Sequence, residues 1–224
     1  MGPLVLATVL FVGAHVLISS TSLRGMLVAR TGERGFAGLF SVLSVALIVW
    51  MVIAFLHAPR DTLLWSVPGS RHLALTLMPL ALLLLVAGYT ARNPTAVIMA
   101  PPEGNWQPKG IITVTRHPIM WAFGLWALLH LLANGSWAGI VFFGGFSVLA
   151  LAGTLAIDAK KRRTWTADTV GRFFATTSNL PFLAIAQGRT RLDWKGLGVP
   201  LAIAVALYLI IIFWFHPQVI GAPL

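Results

Sequence analysis

A chain of 224 residues that is 58% apolar, only 10% charged and free of cysteine falls in the membrane class, and it excludes disulfides, thiolate catalysis and thiolate-held metals. Its net charge of +10 is spread along the chain rather than gathered in one basic folded unit, which argues against nucleic acid as a partner and for charge-guided membrane orientation. At roughly 20 helical residues per bilayer crossing, the spans and their connections use most of the length, so the expectation is a single membrane domain over residues 1–224 without a soluble appendage.

Six apolar segments follow in order, at about 3–20, 36–56, 73–90, 117–134, 138–157 and 199–215. The first lacks a basic region ahead of it, its first cation being Arg24, so it reads as a retained span rather than a cleaved signal. The second carries no charge over 21 residues. The third holds Pro79, which predicts a tolerated kink. Only "NGSW" separates the fourth from the fifth, which predicts a tight helical hairpin. Between the fifth and sixth, residues 172–187, "RFFATTSNLPFLAIAQ", are apolar at both ends and polar in the middle, the pattern of an interfacial or re-entrant piece. The expected fold is therefore all-α, a polytopic bundle of about six transmembrane helices plus that segment.

With six spans, fourteen of the sixteen Lys and Arg residues lie in loops on one side, and only Arg60 and Arg71 on the other. The positive-inside rule then predicts a bacterial-type inner membrane protein with both termini periplasmic.

Six histidines sort by depth along these spans. His57, His72 and His216 fall at helix ends beside Arg60, Arg71 and Pro217, where interfacial placement accounts for them. His15 is different, lying inside the first span next to Gly13 and Ala14, where an unsatisfied imidazole is costly and marks function. His117 opens the fourth span at the same expected depth, whereas His130 is 13 residues further on, roughly 20 Å along a helix. Two imidazoles from different helices at one depth are what axial ligation of a b-type haem requires, and His15 with His117 is the pair the topology allows. Gly35, Gly38 and Gly124 would let helices or a flat macrocycle approach closely.

"TRHP" at 115–118 has its own mechanics. Pro118 suits a first helical turn and Thr115 can cap it, while Arg116 reads as a headgroup-level binder of lipid phosphate, a cofactor carboxylate or an acidic partner. The run "DAKKRR" at 158–163 places four cations at a helix end, complementing its dipole and anionic lipids. Asp158 reads most simply as an intrahelical partner of Lys161 or Arg162.

Four blocks in order, "AHVLIS", "GERGFAGLFSVLS", "VTRHPIMWAFGLWALLHLLANG" and "RTWTADTVGRFFATTSNLPFLAIAQGR", resemble the NnrU family of polytopic membrane proteins and its plant and cyanobacterial relatives, the 15-cis-zeta-carotene isomerases. The resemblance covers about residues 1 to 190. What it implies is a b-type haem with two histidine ligands whose iron redox state governs isomerisation of a carotenoid double bond, or, on the bacterial side, a role in nitrite and nitric oxide metabolism. The family's first-span histidine falls on His15, the Arg-His-Pro histidine on His117, the later histidine of the fourth span on His130 and the one after the second span on His57. An apolar small molecule is the implied substrate. The Arg-His-Pro turn and helical hairpin are also similar to membrane methyltransferases that bind S-adenosylmethionine, but their glutamate-rich site is replaced here by "DAKKRRTW", with no Glu after Glu103. A third reading is a non-enzymatic membrane assembly factor.

Overall fold

The fold is that of a computed structural model, which describes residues 1–20, 22–96 and 99–221. Among the described residues the regular structure is helical, apart from an isolated bridge between Leu63 and Ser136, and the chain divides into two compact units. The first comprises Met1–Ser70 and Ala127–Leu149, the second Arg71–Trp126 and Ala150–Leu224.

The first unit is built on α1 (Gly2–Ser20) and α2 (Ser22–Leu56). The latter starts well before the apolar stretch expected at 36–56, because its opening turns are polar yet helical. Gly32, at φ 70° and ψ 165°, supplies the bend that separates the polar turns from the apolar run, a conformation that favours glycine. Arg24 spans this bend to Glu33 at 2.6 Å. Two further pieces complete the unit, the ends of α4 (Pro118–Ala133) and α5 (Trp137–Thr164) that adjoin their short connection. That connection is the expected tight one: the Leu64 amide donates to Gly135 O at 2.7 Å, and the amide of Gly139 donates to the Ser136 hydroxyl. Buried Phe11, Met51, Phe142 and Phe143 form the interior, with Phe55 stacked 4.6 Å from Phe142.

The second unit contains α3 (Ser70–Thr90), a 3₁₀ turn (Gly110–Thr113), the remaining parts of α4 and α5, α6 (Ala167–Thr176), the single turn α7 (Leu183–Ala186) and α8 (Gly198–Ile210), which continues as a π-helical stretch to Ile220. α3 runs on through Pro79. Leu84, Ala87, Ile111, Ile112, Val114 and Ala122 make its apolar core. Gly88 matters here: a Cβ would lie 2.7 Å from the Ile119 side chain and 3.1 Å from Pro118, so only glycine lets the start of α4 sit this close to α3. Tyr208 ties α8 to the same helix by donating its hydroxyl to Leu75 O at 2.7 Å.

Among the described residues four helices are long and apolar enough to cross a membrane, Leu23–Leu56, Ser70–Thr90, Trp137–Thr164 and Gly198–Ile220, and two shorter apolar ones, Gly2–Ile18 and Pro118–Ala133, accompany them. These correspond to the six expected segments. Their outward residues are overwhelmingly apolar, among them Val42, Val199 and Phe213, a surface suited to lipid and unfavourable in water. The segment expected at 172–187 resolves into the end of amphipathic α6, an irregular turn at 177–182 and α7.

Candidate functional site

The densest polar cluster lies in the second unit, where the backbone leaves helix. Arg116 and His117, adjacent in the turn that starts α4, both reach back to one carboxylate on α5, that of Asp158. Arg116 forks onto it, with Nε donating to Oδ1 at 2.9 Å and Nη2 to Oδ2 at 2.5 Å, and His117 Nε2 lies 2.7 Å from Oδ1. All three residues are buried, His117 to 2% exposure. An ionised carboxylate only accepts, so the imidazole carries its proton on Nε2. The bidentate geometry and the extra donor satisfy both oxygens, which is the condition under which a buried ion pair is tolerated.

The rest of the turn is fastened just as closely. Arg116 N donates to Ser178 O at 2.9 Å, and its carbonyl accepts from Asn93 Nδ2 and the Thr95 hydroxyl. Arg116 Nη1 and Arg189 Nη1 both donate to Thr177 O, at 3.2 and 2.7 Å. Thr115 donates its hydroxyl to Asn179 O at 2.6 Å and accepts from the His117 amide. Trp121 Nε1 also donates to Asn179 O, and Asn179 Nδ2 donates to the Thr154 hydroxyl. Phe182, held at φ 64°, a costly conformation for a residue with a side chain, donates its amide to Val114 O at 2.8 Å. Irregular backbone inside a membrane protein persists only where its polar groups are paired within the protein, and here residues 114–117 and 177–182 pair with each other.

Two sequence expectations are corrected. Asp158 is not the intrahelical partner of Lys161 or Arg162. Those cations lie over aromatic rings instead, Lys161 Nζ 5.0 Å from the Trp165 centroid and Arg162 Cζ 4.0 Å from Phe174. Nor are the Arg116 donors open: the side chain is buried, spent on Asp158 and Thr177, and stacked on Phe174 at 4.4 Å. The one signal available in the sequence was an acidic residue at the end of an apolar helix, by itself a functional hypothesis; four neighbouring cations offered nearer partners and hid it.

The other expected site residues belong to the first unit. His15 lies in α1 with Nδ1 2.8 Å from Phe11 O, its ring 4.5 Å from Phe11 and 5.0 Å from Phe40. His130 stacks on Phe143 at 5.0 Å. His57 is exposed at the end of α2, its Nδ1 2.8 Å from Ile53 O. Among the described residues no three or more His, Asp or Glu groups come together as a metal-ion site. Near His15, a groove of about 410 Å³ is lined by Thr8, Val9, Val12, Gly13, Gly144, Gly145 and Val148. Gly145 admits the Thr8 side chain, which a Cβ would meet at 2.5 Å.

These features define a polytopic α-helical membrane protein whose second unit carries a closed, charge-bearing polar site and whose first unit carries an apolar groove. The sequence pattern described as NnrU protein matches residues 3–224, and the chain belongs to the NnrU family. It is also 27% identical over 192 residues to the chloroplastic 15-cis-zeta-carotene isomerase of Zea mays, a match covering 84% of this chain and 52% of that protein. The chain thus spans about half the length of the curated relative it matches. No solved structure matches it.

Proposed function

We propose that this NnrU-type protein is an intramembrane isomerase of an apolar polyene, with b-type haem as its cofactor. The observation that carries the reading is His15: an imidazole inside an apolar helix, set among phenylalanine rings, on the same helix as Val12 and Gly13 of the apolar groove. The similarity to the maize protein, a carotene isomerase, supports the substrate class.

The histidines that the family resemblance assigns to the haem are His15 and His117, each within its own unit. Each has one ring nitrogen fixed by an acceptor, Phe11 O for His15 and Asp158 for His117, which is how ligating histidines are oriented and made more basic. When bound, the haem supplies a redox-active iron. The chain's own contribution is positional: Asp158 orients His117, Arg116 forks onto Asp158 and holds it in place, and Phe11 and Phe40 lie against the His15 ring. Glycines 13, 144 and 145 leave room for a chain without polar groups to lie against α1.

The test is the absorption spectrum of protein purified after expression with ample haem, oxidised and reduced. A Soret band that is lost in both His15→Ala and His117→Ala, with catalysed isomerisation of a cis-polyene by the wild type, is the expected result. Protein that neither carries nor takes up haem overturns it. A role in nitrogen-oxide metabolism would instead show as nitric oxide binding to the same iron without polyene turnover.

A further inference from the structure

The cations that close α5 are not absorbed by the site. In the second unit Asp158 is saturated by Arg116 and His117, Asp168 is bridged by Arg172 at 2.8 Å, and Asp193 accepts from the amides of Gly110 and Lys195. Glu103, in the loop before the 3₁₀ turn, takes part in none of the described ion pairs, and neither do Lys161, Arg162 and Arg163. Lys161 and Arg162 lie over Trp165 and Phe174. A ring face attracts a cation without cancelling its charge, so the positive field of three consecutive residues is left for an external anion.

Their position says which anion. They end a helix long and apolar enough to cross a membrane, where the chain leaves hydrocarbon for the plane of the lipid phosphates. Arg162 and Arg163 are exposed, and Trp165 follows as the amphipathic ring expected at such an interface. Phe174, which carries Arg162, carries buried Arg116 as well, so an occupant at this corner is one ring away from the ion pair of the site.

We propose that the α5–α6 corner binds the headgroups of anionic phospholipids through Arg162 and Arg163, with Lys161 beside them. The full chain, purified in a neutral detergent, is titrated with phosphatidylglycerol, phosphatidylcholine and inorganic phosphate while its thermal unfolding is followed. Phosphatidylglycerol should raise the unfolding temperature at concentrations where the other two do not. The Arg162→Gln/Arg163→Gln double variant, checked for unchanged helix content, should bind it more weakly by about fivefold per charge removed. The Arg162→Lys/Arg163→Lys variant should retain most of the affinity. An equal response to phosphatidylcholine overturns the proposal, as does an unaltered response in the Gln variant or a full loss in the Lys variant. If inorganic phosphate alone reproduces the shift, the corner is a free-anion site and the lipid assignment falls.

Discussion

The two units place histidines in opposite surroundings. In the first, His15 and His130 lie against aromatic rings, and the interior is a set of phenylalanine contacts around Phe142 and Phe143. In the second, His117 is one corner of a buried charge network whose shared acceptor, Asp158, lies 41 positions away in the chain. Apolar contacts are individually weak and interchangeable. A buried polar network is neither, because each member left without its partner incurs its whole desolvation cost. The second unit should therefore fail abruptly where the first gives way by degrees.

The largest expected effect follows from removing the shared acceptor. Asp158→Ala strands a guanidinium and an imidazole in the protein interior, and breaking a buried pair in this way costs about 3–5 kcal/mol. We expect the variant to accumulate poorly in membranes and to show a strongly lowered unfolding midpoint in mild detergent. Asp158→Asn should fall between, since it keeps one acceptor but turns an amide donor toward Arg116. Replacing both charged partners, as in Arg116→Met with Asp158→Leu, should recover part of the loss, because a buried pair is often no more stabilising than apolar residues of similar volume. A midpoint for Asp158→Ala within about 1 kcal/mol of wild type would remove the contrast between the units altogether.

A middle-sized effect tests how far the network extends. Asn179→Ala deletes the donor to Thr154 and one acceptor of Trp121 but leaves the Asn179 carbonyl, which takes the shorter of the two Trp121 bonds at 2.8 Å. The expected cost is about 1–2 kcal/mol, with the fluorescence of the protein shifted because Trp121 loses part of its anchoring. An unchanged midpoint would confine the network to Arg116, His117 and Asp158.

The same contrast explains what was legible in the sequence. The spans were readable because lipid imposes length and hydropathy on each helix separately, and "NGSW" announced its tight connection by its shortness. The apolar run at 36–56 is legible, while the helical turns ahead of it are not, because Arg30, Glu33 and Arg34 look like loop residues although the backbone turns at Gly32 and is helical on either side. Arg116 and His117 stand out in the sequence, but their surroundings do not, since the partner of each is a long-range contact that composition and periodicity do not encode. Asp158 lies 42 positions from Arg116 and three and four from Lys161 and Arg162, so local rules favoured the wrong neighbours. The turn at 177–182 was recognised as polar, yet nothing local shows that its carbonyls serve Arg116, Arg189, Thr115 and Trp121.

The smallest expected effect lies in the first unit and sharpens the comparison from the other side. Phe142 is buried and touches Phe55 at 4.6 Å, Phe143 at 5.0 Å and Phe146 at 5.4 Å. Phe142→Leu removes ring contacts but strands no polar group, and its neighbours can close part of the space. We expect a loss of about 1 kcal/mol, well below that of Asp158→Ala, although both sites are buried. Combined with Phe55→Leu, the effect should be less than the sum of the two single changes, because the second removes a ring that has already lost its stacking partner. The check is a double-mutant cycle on the unfolding midpoint in one detergent. A loss of 3 kcal/mol or more from Phe142→Leu alone would mean that this aromatic cluster is as intolerant as the charge network, and burial rather than polarity would then decide which substitutions the protein withstands.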